Sequence, residues 1–468
     1  MNTSAPVDVG HAIDQQHRGS VYSGLILALC ATTMIVEGYD VQLMAYATPA
    51  IIRDWHIERA LFGPVFSAAL LGYLLGATVL SGISDKLGRK RVIVIGNLFF
   101  GALTVASAFA ETIPVLLALR FAAGLGLGCS IPAAMALGVE YAPEGRRAVR
   151  VSLLFIGYGL GASAGGFITA KLITAFGWQS AFFLSGGLSI AAGMIAWFFM
   201  PESARFLAVV GGRDREIGRI MCRLRPDLGI TASTQFVAAE QTAEPGLPVR
   251  HLFTERRAWI TVLLWIAFVT SLTGHSFLTS WLPTVLSDNG ISLEHAVIAG
   301  SLVQAGSAVG GLLVGSLVDR FGIAAIAGTY VVSVPFVVLI GAFEMPEPLL
   351  MLILFMVGLV LLGGQIGLNA LAGTIYPTFV RSSGAGWALG VGRVGSIIGP
   401  LVGGFLINSG MSLRVLFVCA AVPAAFTAVA VMLLHVITNA RFKGGRPARC
   451  SRPHNDTPPV TKLLVSHE

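Results

Sequence analysis

The sequence predicts an all-α membrane protein of twelve transmembrane helices arranged as two six-helix bundles. Of its 468 residues, 55% are hydrophobic and only 12% charged, and the mean hydropathy is +0.78. An ordinary soluble domain carries about 25% charged residues. The apolar residues fall in twelve runs, each near the roughly 20 residues that cross a bilayer as helix. The second half also repeats the first. Ser81-Gly82-Ile83-Ser84-Asp85-Lys86-Leu87-Gly88 matches Gly315-Ser316-Leu317-Val318-Asp319-Arg320-Phe321-Gly322, and Pro49 matches Pro283, both pairs 234 residues apart. Gly161-Ala162-Ser163-Ala164-Gly165-Gly166-Phe167 matches Gly399-Pro400-Leu401-Val402-Gly403-Gly404-Phe405 at an offset of 238. Matches at nearly one offset indicate two bundles related by an axis along the membrane normal, with a substrate site between them at midplane.

Residues 1–20 are polar and lack the basic start, short apolar core and cleavage site of a signal peptide, so the first apolar run is expected to stay as span one. Spans are expected near 21–50, 60–83, 92–110, 113–137, 149–173 and 179–200, making an N-terminal bundle over 21–200. Residues 201–257 are polar and Arg-rich at their start, a connector of surface helices and coil too short for a catalytic domain. The C-terminal bundle, 258–436, follows with spans near 258–283, 296–317, 323–343, 348–375, 384–408 and 412–436, and 437–468 form a tail. Arg89, Lys90, Arg91, Arg146, Arg147, Arg150 and the connector's arginines share one side, whereas the opposite loops hold Arg53, Arg59, Lys171 and Arg414. The positive-inside rule then puts both termini in the cytoplasm and the chain in the cytoplasmic (inner) membrane.

Glu37-Gly38-Tyr39-Asp40 places two acids in the middle of span one. A charge at the centre of a membrane helix costs about 2.5 to 3.5 kcal/mol on insertion scales. Three residues apart, the acids share a helix face, which must look at water or at a cation. Asp40 lies about 15 Å from the outer end of span one and Arg120 about 10 Å down span four, counting helix rise. Arg393 stands about 18 Å up span eleven with no acid near it in its own span. A guanidinium there either holds a substrate carboxylate bidentately or pairs with Asp40 or Glu37 across the bundles. Gln365 and Asn369 face one way on span ten, and His275 and Gln304 are also at membrane depth; each serves either a site or helix packing. Tyr39, Tyr46, Phe277 and Trp281 can stack on an aromatic ring, although Trp281, near a span end, equally suits an interface anchor.

Other chemistries lack their residues. The net charge of +7 is spread between apolar runs rather than clustered as a nucleic-acid patch. The five cysteines have no metal-ligand or CxxC spacing. Gly124-Leu125-Gly126-Leu127-Gly128 lies inside a span without a preceding strand, which suits close helix packing rather than a nucleotide loop. No nucleophile and base, Walker loop, metal site or cofactor motif is present, so neither an enzyme nor an ATP-driven pump is expected.

The loop Asp85-Lys86-Leu87-Gly88-Arg89-Lys90-Arg91, its partner at Asp319, and Arg120 with Gly124, Gly126, Gly128 and Pro132 resemble the signatures of the major facilitator superfamily. Within it, Glu37-Gly38-Tyr39-Asp40, Glu140-Tyr141-Ala142-Pro143-Glu144-Gly145-Arg146-Arg147, Pro201-Glu202-Ser203-Ala204-Arg205, and Tyr376-Pro377-Thr378-Phe379-Val380-Arg381 running into Gly386-Trp387 and Arg393 resemble the aromatic acid:proton symporter family. Glu37 stands where that family usually has Asp, and Ser81 where the loop usually has Gly. The resemblance implies the major facilitator fold, with spans one, four, seven and ten lining the cavity and an Asp40–Arg120 contact beside Glu37. Loading and releasing a proton at that contact would couple transport, while a fixed ion pair would only hold two helices together. It also implies that Asp85, Arg89, Lys90, Glu140, Arg146 and Asp319 form a charge network that latches one state of the cycle. Drug antiporters of the superfamily carry Gly-Pro in span five, where this chain has Gly161-Ala162, so uptake is favoured over export.

The expected partners are a small organic acid anion, protons and the lipid bilayer, with a monomer sufficient. Hydroxybenzoate-like, benzoate-like, phenylpropanoid, chlorinated aromatic and muconate-like acids all fit. The rivals are a transporter of a sugar or a non-aromatic dicarboxylate and, from another class, a non-transporting receptor signalling through the connector.

Overall fold

The structure, a computed structural model, describes residues 6–15, 20–231, 234–237, 252–254, 258–343, 345–376 and 380–444. Among the described residues twelve helices are long and apolar enough to cross a membrane. They are Val21–Trp55, Arg59–Leu80, Arg89–Ser107, Ile113–Glu140, Val149–Phe176 and Gln179–Phe199 in the first half, and Ala258–Asp288, Leu293–Val318, Ile323–Ala342, Glu347–Ala372, Ser383–Asn408 and Arg414–Thr438 in the second. Several overrun the expected limits: span one continues to Trp55 and span seven to Asp288, carrying their polar ends past Pro49 and Pro283 without breaking.

Each half packs in one pattern. Span one lies on five, two on four and three on six; span seven lies on eleven, eight on ten and nine on twelve. Between the halves, five meets eight, two meets eleven and one meets seven, as a two-fold axis along the membrane normal requires. The glycines of span four carry the contact with span two. A Cβ on Gly124 would lie 2.2 Å from the Ala69 carbonyl oxygen, and one on Gly128 would lie 2.3 Å from that of Tyr73. Span eight repeats the device, Gly306 and Gly310 pressing on Phe355 and Leu359 of span ten. Close backbone approach through small residues substitutes for the hydrophobic effect that lipid cannot supply. Gly124→Val is therefore expected to lower the melting temperature of the detergent-solubilised protein, by overpacking of about 1 to 3 kcal/mol. Gly187→Val, at a position open on its Cβ side, is the control and should change nothing.

On the side of the connector, which we call the linker side, the amino-terminal segment is docked rather than trailing. Strand β1 (Val7–Asp8) pairs in parallel with β2 (Phe236–Val237), and the helix Val9–Asp14 buries Val9 and Ile13 against Leu207, Ile217 and Met221. Asp14 receives both Arg147, at 2.5 Å, and Arg205, at 2.9 Å. Arg225 donates to the Ala12 carbonyl at 2.7 Å and forks onto Asp227, holding that carboxyl below the usual carboxylate range. Burial pushes the phenol of Tyr141, which donates to the Glu202 carbonyl, well above its ordinary value.

The halves are fastened on the far side. Arg59 pairs with Asp288 at 2.8 Å, Arg53 donates to Ser287 at 2.6 Å, and Phe66 meets Trp281 edge to face at 5.3 Å. Deeper in, Ser67 donates to the Ile397 carbonyl and Ser163 to that of Ser301. Among the described residues, the polar contact between the halves that lies closest to the linker side is Arg393 on Tyr73.

Candidate functional site

Asp40 and Arg120 meet, with Nη1 and Oδ2 3.5 Å apart and both side chains buried. The pair faces the interior of the N-terminal bundle. Asp40 Oδ1 accepts from Thr104 of span three at 2.9 Å and from Ser185 of span six at 3.1 Å. Arg120 donates to Thr104 and Ser107, both at 3.0 Å, and its guanidinium lies 5.5 Å from the centre of the Phe182 ring. A cation therefore faces Asp40, the second acid of the motif, and hydroxyls from spans three and six add to the contact. Such a set makes a buried ion pair tolerable, because the geometry returns part of a desolvation cost of several kcal/mol per ion.

Glu37 has no such shell. It is 0% exposed, and among the described residues neither carboxyl oxygen has a hydrogen-bond partner. One turn before it Thr33 accepts, at 3.5 Å, from Asn97, whose own Oδ1 is also unpartnered. The two acids of one motif therefore stand in opposite circumstances: Asp40 faces a fixed cation, whereas among the described residues Glu37 faces none.

Span five passes directly behind them. A Cβ on Gly38 would lie 2.0 Å from the Tyr158 carbonyl oxygen, so only glycine lets Tyr158 come this close to the Glu37-to-Asp40 turn. Tyr73, on span two just before a π-helical turn at Gly76–Leu80, lies under Arg393 of the other bundle. The guanidinium carbon is 4.5 Å from the ring centre and Nη2 donates to the hydroxyl at 3.4 Å. Arg393 is half-buried, and among the described residues no carboxylate is within ion-pairing distance of it. Of the two roles open to it, the pairing with Asp40 or Glu37 is not the one adopted here; its partner is an aromatic face.

His275 is in span seven, and its Nδ1 is buried with no partner among the described residues. Gln365 accepts from Ser271, which also meets Tyr330, and donates to Asn369 at 3.1 Å, so the span-ten amides and span seven form one network ending at exposed Asn369. Gln304 is buried in span eight.

The remaining aromatic candidates are taken up by packing. Tyr39 points to spans five and six, its hydroxyl 2.7 Å from Thr169. Tyr46 donates to the Ala162 carbonyl at 2.9 Å and lies beside Pro283 and Gly300 of the other half. Trp281 is 1% exposed, donates to the Pro400 carbonyl within its own bundle and meets Phe66 of the other, so it is a buried packing residue and not an interface anchor. Phe277 lies against Gly399 and Gly403 of span eleven.

At the linker end, Arg89 joins Asp85 at 3.0 Å and Glu140 at 3.1 Å, binding the second and third spans to the fourth within one bundle. Lys90 contributes its backbone N–H, which donates to Glu202 at 3.1 Å. Arg146 is exposed, and its neighbour Arg147 makes the ion pair with Asp14 instead. The side chain of Asp319 lies outside the described residues.

Tyr73, Tyr158, Thr104, Ser185 and Glu202 are absent from the candidates drawn from the sequence. Tyr73 carried a usable signal, a phenol in a span facing the same depth as Arg393; the hydroxyls of spans three and six carried none.

The Major Facilitator Superfamily family model matches residues 29–388. A gallate transporter of Pseudomonas putida is 36% identical over 429 residues, covering 92% of this chain and 95% of that protein. The 4-hydroxybenzoate transporter PcaK of Acinetobacter baylyi is 35% identical over 424 residues, covering 90% and 93%. A benzoate transport protein of the same species is 29% identical over 471 residues, covering 99% and 100%. Among solved structures, a bacterial homologue of the human lysosomal transporter Spinster, inward-facing and occupied, superposes with a TM-score of 0.66 at 16% identity, covering 92% of this chain and 100% of that one. At that identity the likeness concerns the fold.

Proposed function

The chain belongs to the Major Facilitator Superfamily, and from that membership we propose that it imports aromatic carboxylates together with protons across the cytoplasmic membrane. It is a multi-pass membrane transporter and not an enzyme. The observation that carries the substrate class is Arg393, a guanidinium on the seam between bundles, matched to no acid among the described residues and stacked on a tyrosine. A planar cation over an aromatic face suits an aromatic acid: the carboxylate takes the fork of the guanidinium, and the ring takes the stacking surface. A sugar would need the amides and leave the charge idle.

In the cycle we propose, Glu37 takes up the proton, while the Asp40–Arg120 pair holds span one to spans three, four and six. The linker side, by its excess of arginine, is cytoplasmic, and both termini lie there. The far-side contacts at Arg59–Asp288, Arg53–Ser287 and Phe66–Trp281 close the outer mouth, and their opening alternates with closure of the inner one. Asp85, Arg89 and Glu140 set the rate of that exchange rather than recognition. His275, Gln365 and Asn369 line the substrate path from the C-terminal bundle.

The test is uptake of radiolabelled gallate, 4-hydroxybenzoate and benzoate into proteoliposomes of the purified protein with an inside-alkaline pH gradient. At least one acid should accumulate above its level without the gradient, and a protonophore should collapse the excess. Uptake of all three that is indifferent to the gradient would reject proton coupling, and no uptake of any would reject the substrate class.

A further inference from the structure

We propose that Asn369 donates a hydrogen bond to a ring hydroxyl of the bound acid, with Gln365 as its positioning residue, so that the protein selects hydroxylated aromatic carboxylates over unsubstituted ones. The inference rests on the aromatic-carboxylate reading above and deepens it to a substrate subclass. Ser271 has a single O–H, and it donates to Gln365 Oε1. The contact between Ser271 and Tyr330 therefore runs from the phenol to the serine oxygen. Gln365 Nε2 in turn donates to Asn369 Oδ1 at 3.1 Å. Side chains of spans nine, seven and ten thus hydrogen-bond in one direction, and the series ends on Asn369. Its carbonyl oxygen is taken by Gln365, whereas its amide nitrogen makes no hydrogen bond among the described residues. Tyr330, Ser271 and Gln365 are buried and Asn369 is exposed, so what the series presents at its open end is a donor of fixed orientation.

That donor and Arg393 share a depth. Ser271, which holds Gln365, lies on the same turn of span seven as Phe268, Val269 and Leu272, and Gly392 and Gly395 of span eleven pack on that turn. Arg393 stands between those two glycines, and Asn369 is one helical turn from Gln365 toward the linker side. The donor is also turned inward. The opposite side of span ten carries Gly364 and Gly367, which press on Tyr330 and Ile326 of span nine, and span nine packs on span twelve at the outside of its bundle. An acid whose carboxylate lies on Arg393 can then set its ring toward span ten, where an N–H of Asn369 meets the oxygen of a hydroxyl. Gln365 keeps the amide from turning its own oxygen to the ligand. A ring without the hydroxyl leaves the donor facing a C–H, and forfeits the bond.

The experiment measures dissociation constants of the full-length detergent-solubilised protein for benzoate, 4-hydroxybenzoate and gallate at one pH. In the wild type at least one hydroxylated acid should bind about three- to tenfold tighter than benzoate, the return on one net hydrogen bond. Asn369→Ala, at an exposed position, should cut that preference to under about twofold and leave benzoate within about twofold of its wild-type value. Gln365→Met, which frees the amide to turn, should narrow the preference as well. Arg393→Gln should weaken benzoate and the hydroxylated acids by the same factor and so keep it. A wild type that binds benzoate as tightly as both hydroxylated acids, or an Asn369→Ala protein that keeps the full preference, would overturn the inference while leaving aromatic acids as the substrates. Equal weakening of all three acids in Asn369→Ala would put the amide on the carboxylate and overturn it too. Binding of none of the three by the wild type would overturn the substrate class itself.

Discussion

Replacing Arg393 with glutamine is expected to weaken binding of an aromatic carboxylate about a hundredfold while leaving the protein folded. The half-buried guanidinium has no acid partner among the described residues, so its removal strands no opposite charge. Loss of one side of a desolvated charge contact costs about 2 to 5 kcal/mol, and about 2.8 kcal/mol corresponds to the hundredfold expected. The loss should be specific to the anion: the carboxamide analogue of the same acid, weak with the wild type, should bind the variant about as weakly. Titration calorimetry on detergent-solubilised protein reads both. Unchanged affinity for the acid would remove Arg393 from the site and reinstate a substrate held by Gln365 and Asn369.

Asp40→Asn is expected to abolish transport and also to destabilise the bundle, by about 3 to 5 kcal/mol, because Arg120 would remain buried without its counter-charge. Thr104 and Ser185 can still reach the amide oxygen, but neither neutralises a guanidinium. Asp40→Asn combined with Arg120→Gln removes both charges, and should recover most of the thermal stability without recovering transport. That split separates structural pairing from function. A single variant with wild-type melting temperature and uptake would contradict the role given to the pair.

The fold was legible because lipid imposes a simple rule on sequence: runs of about 20 apolar residues become helices. The 234-residue repeat then organised them, and Gly124, Gly306 and their neighbours occupy the helix contacts that small residues at such spacing serve. Within the site, charges in apolar runs stood out. Asp40 and Arg120 were found by cost and depth, and their contact follows the superfamily resemblance. Tyr73 and Tyr158 were not, since a tyrosine in a membrane helix looks like packing until its neighbours are known. Tyr39 and Tyr46 show the converse, having the right residue type but turned toward Thr169 and the Ala162 carbonyl. The docked amino-terminal helix was also invisible, because its burial depends on Arg147, Arg205 and Arg225, up to 213 residues away. Glu202 entered the sequence reading only as part of a family motif, whereas its carboxylate caps the chain at Lys90 and Ser203.

The most direct measurement compares two activities of Glu37→Gln in proteoliposomes. Glutamine keeps the shape of the protonated acid and cannot release a proton, so exchange of labelled for unlabelled aromatic acid at equal concentration should persist. Accumulation driven by an inside-alkaline gradient should fall to the level of the protonophore control. Undiminished gradient-driven accumulation in that variant would contradict Glu37 as the proton carrier.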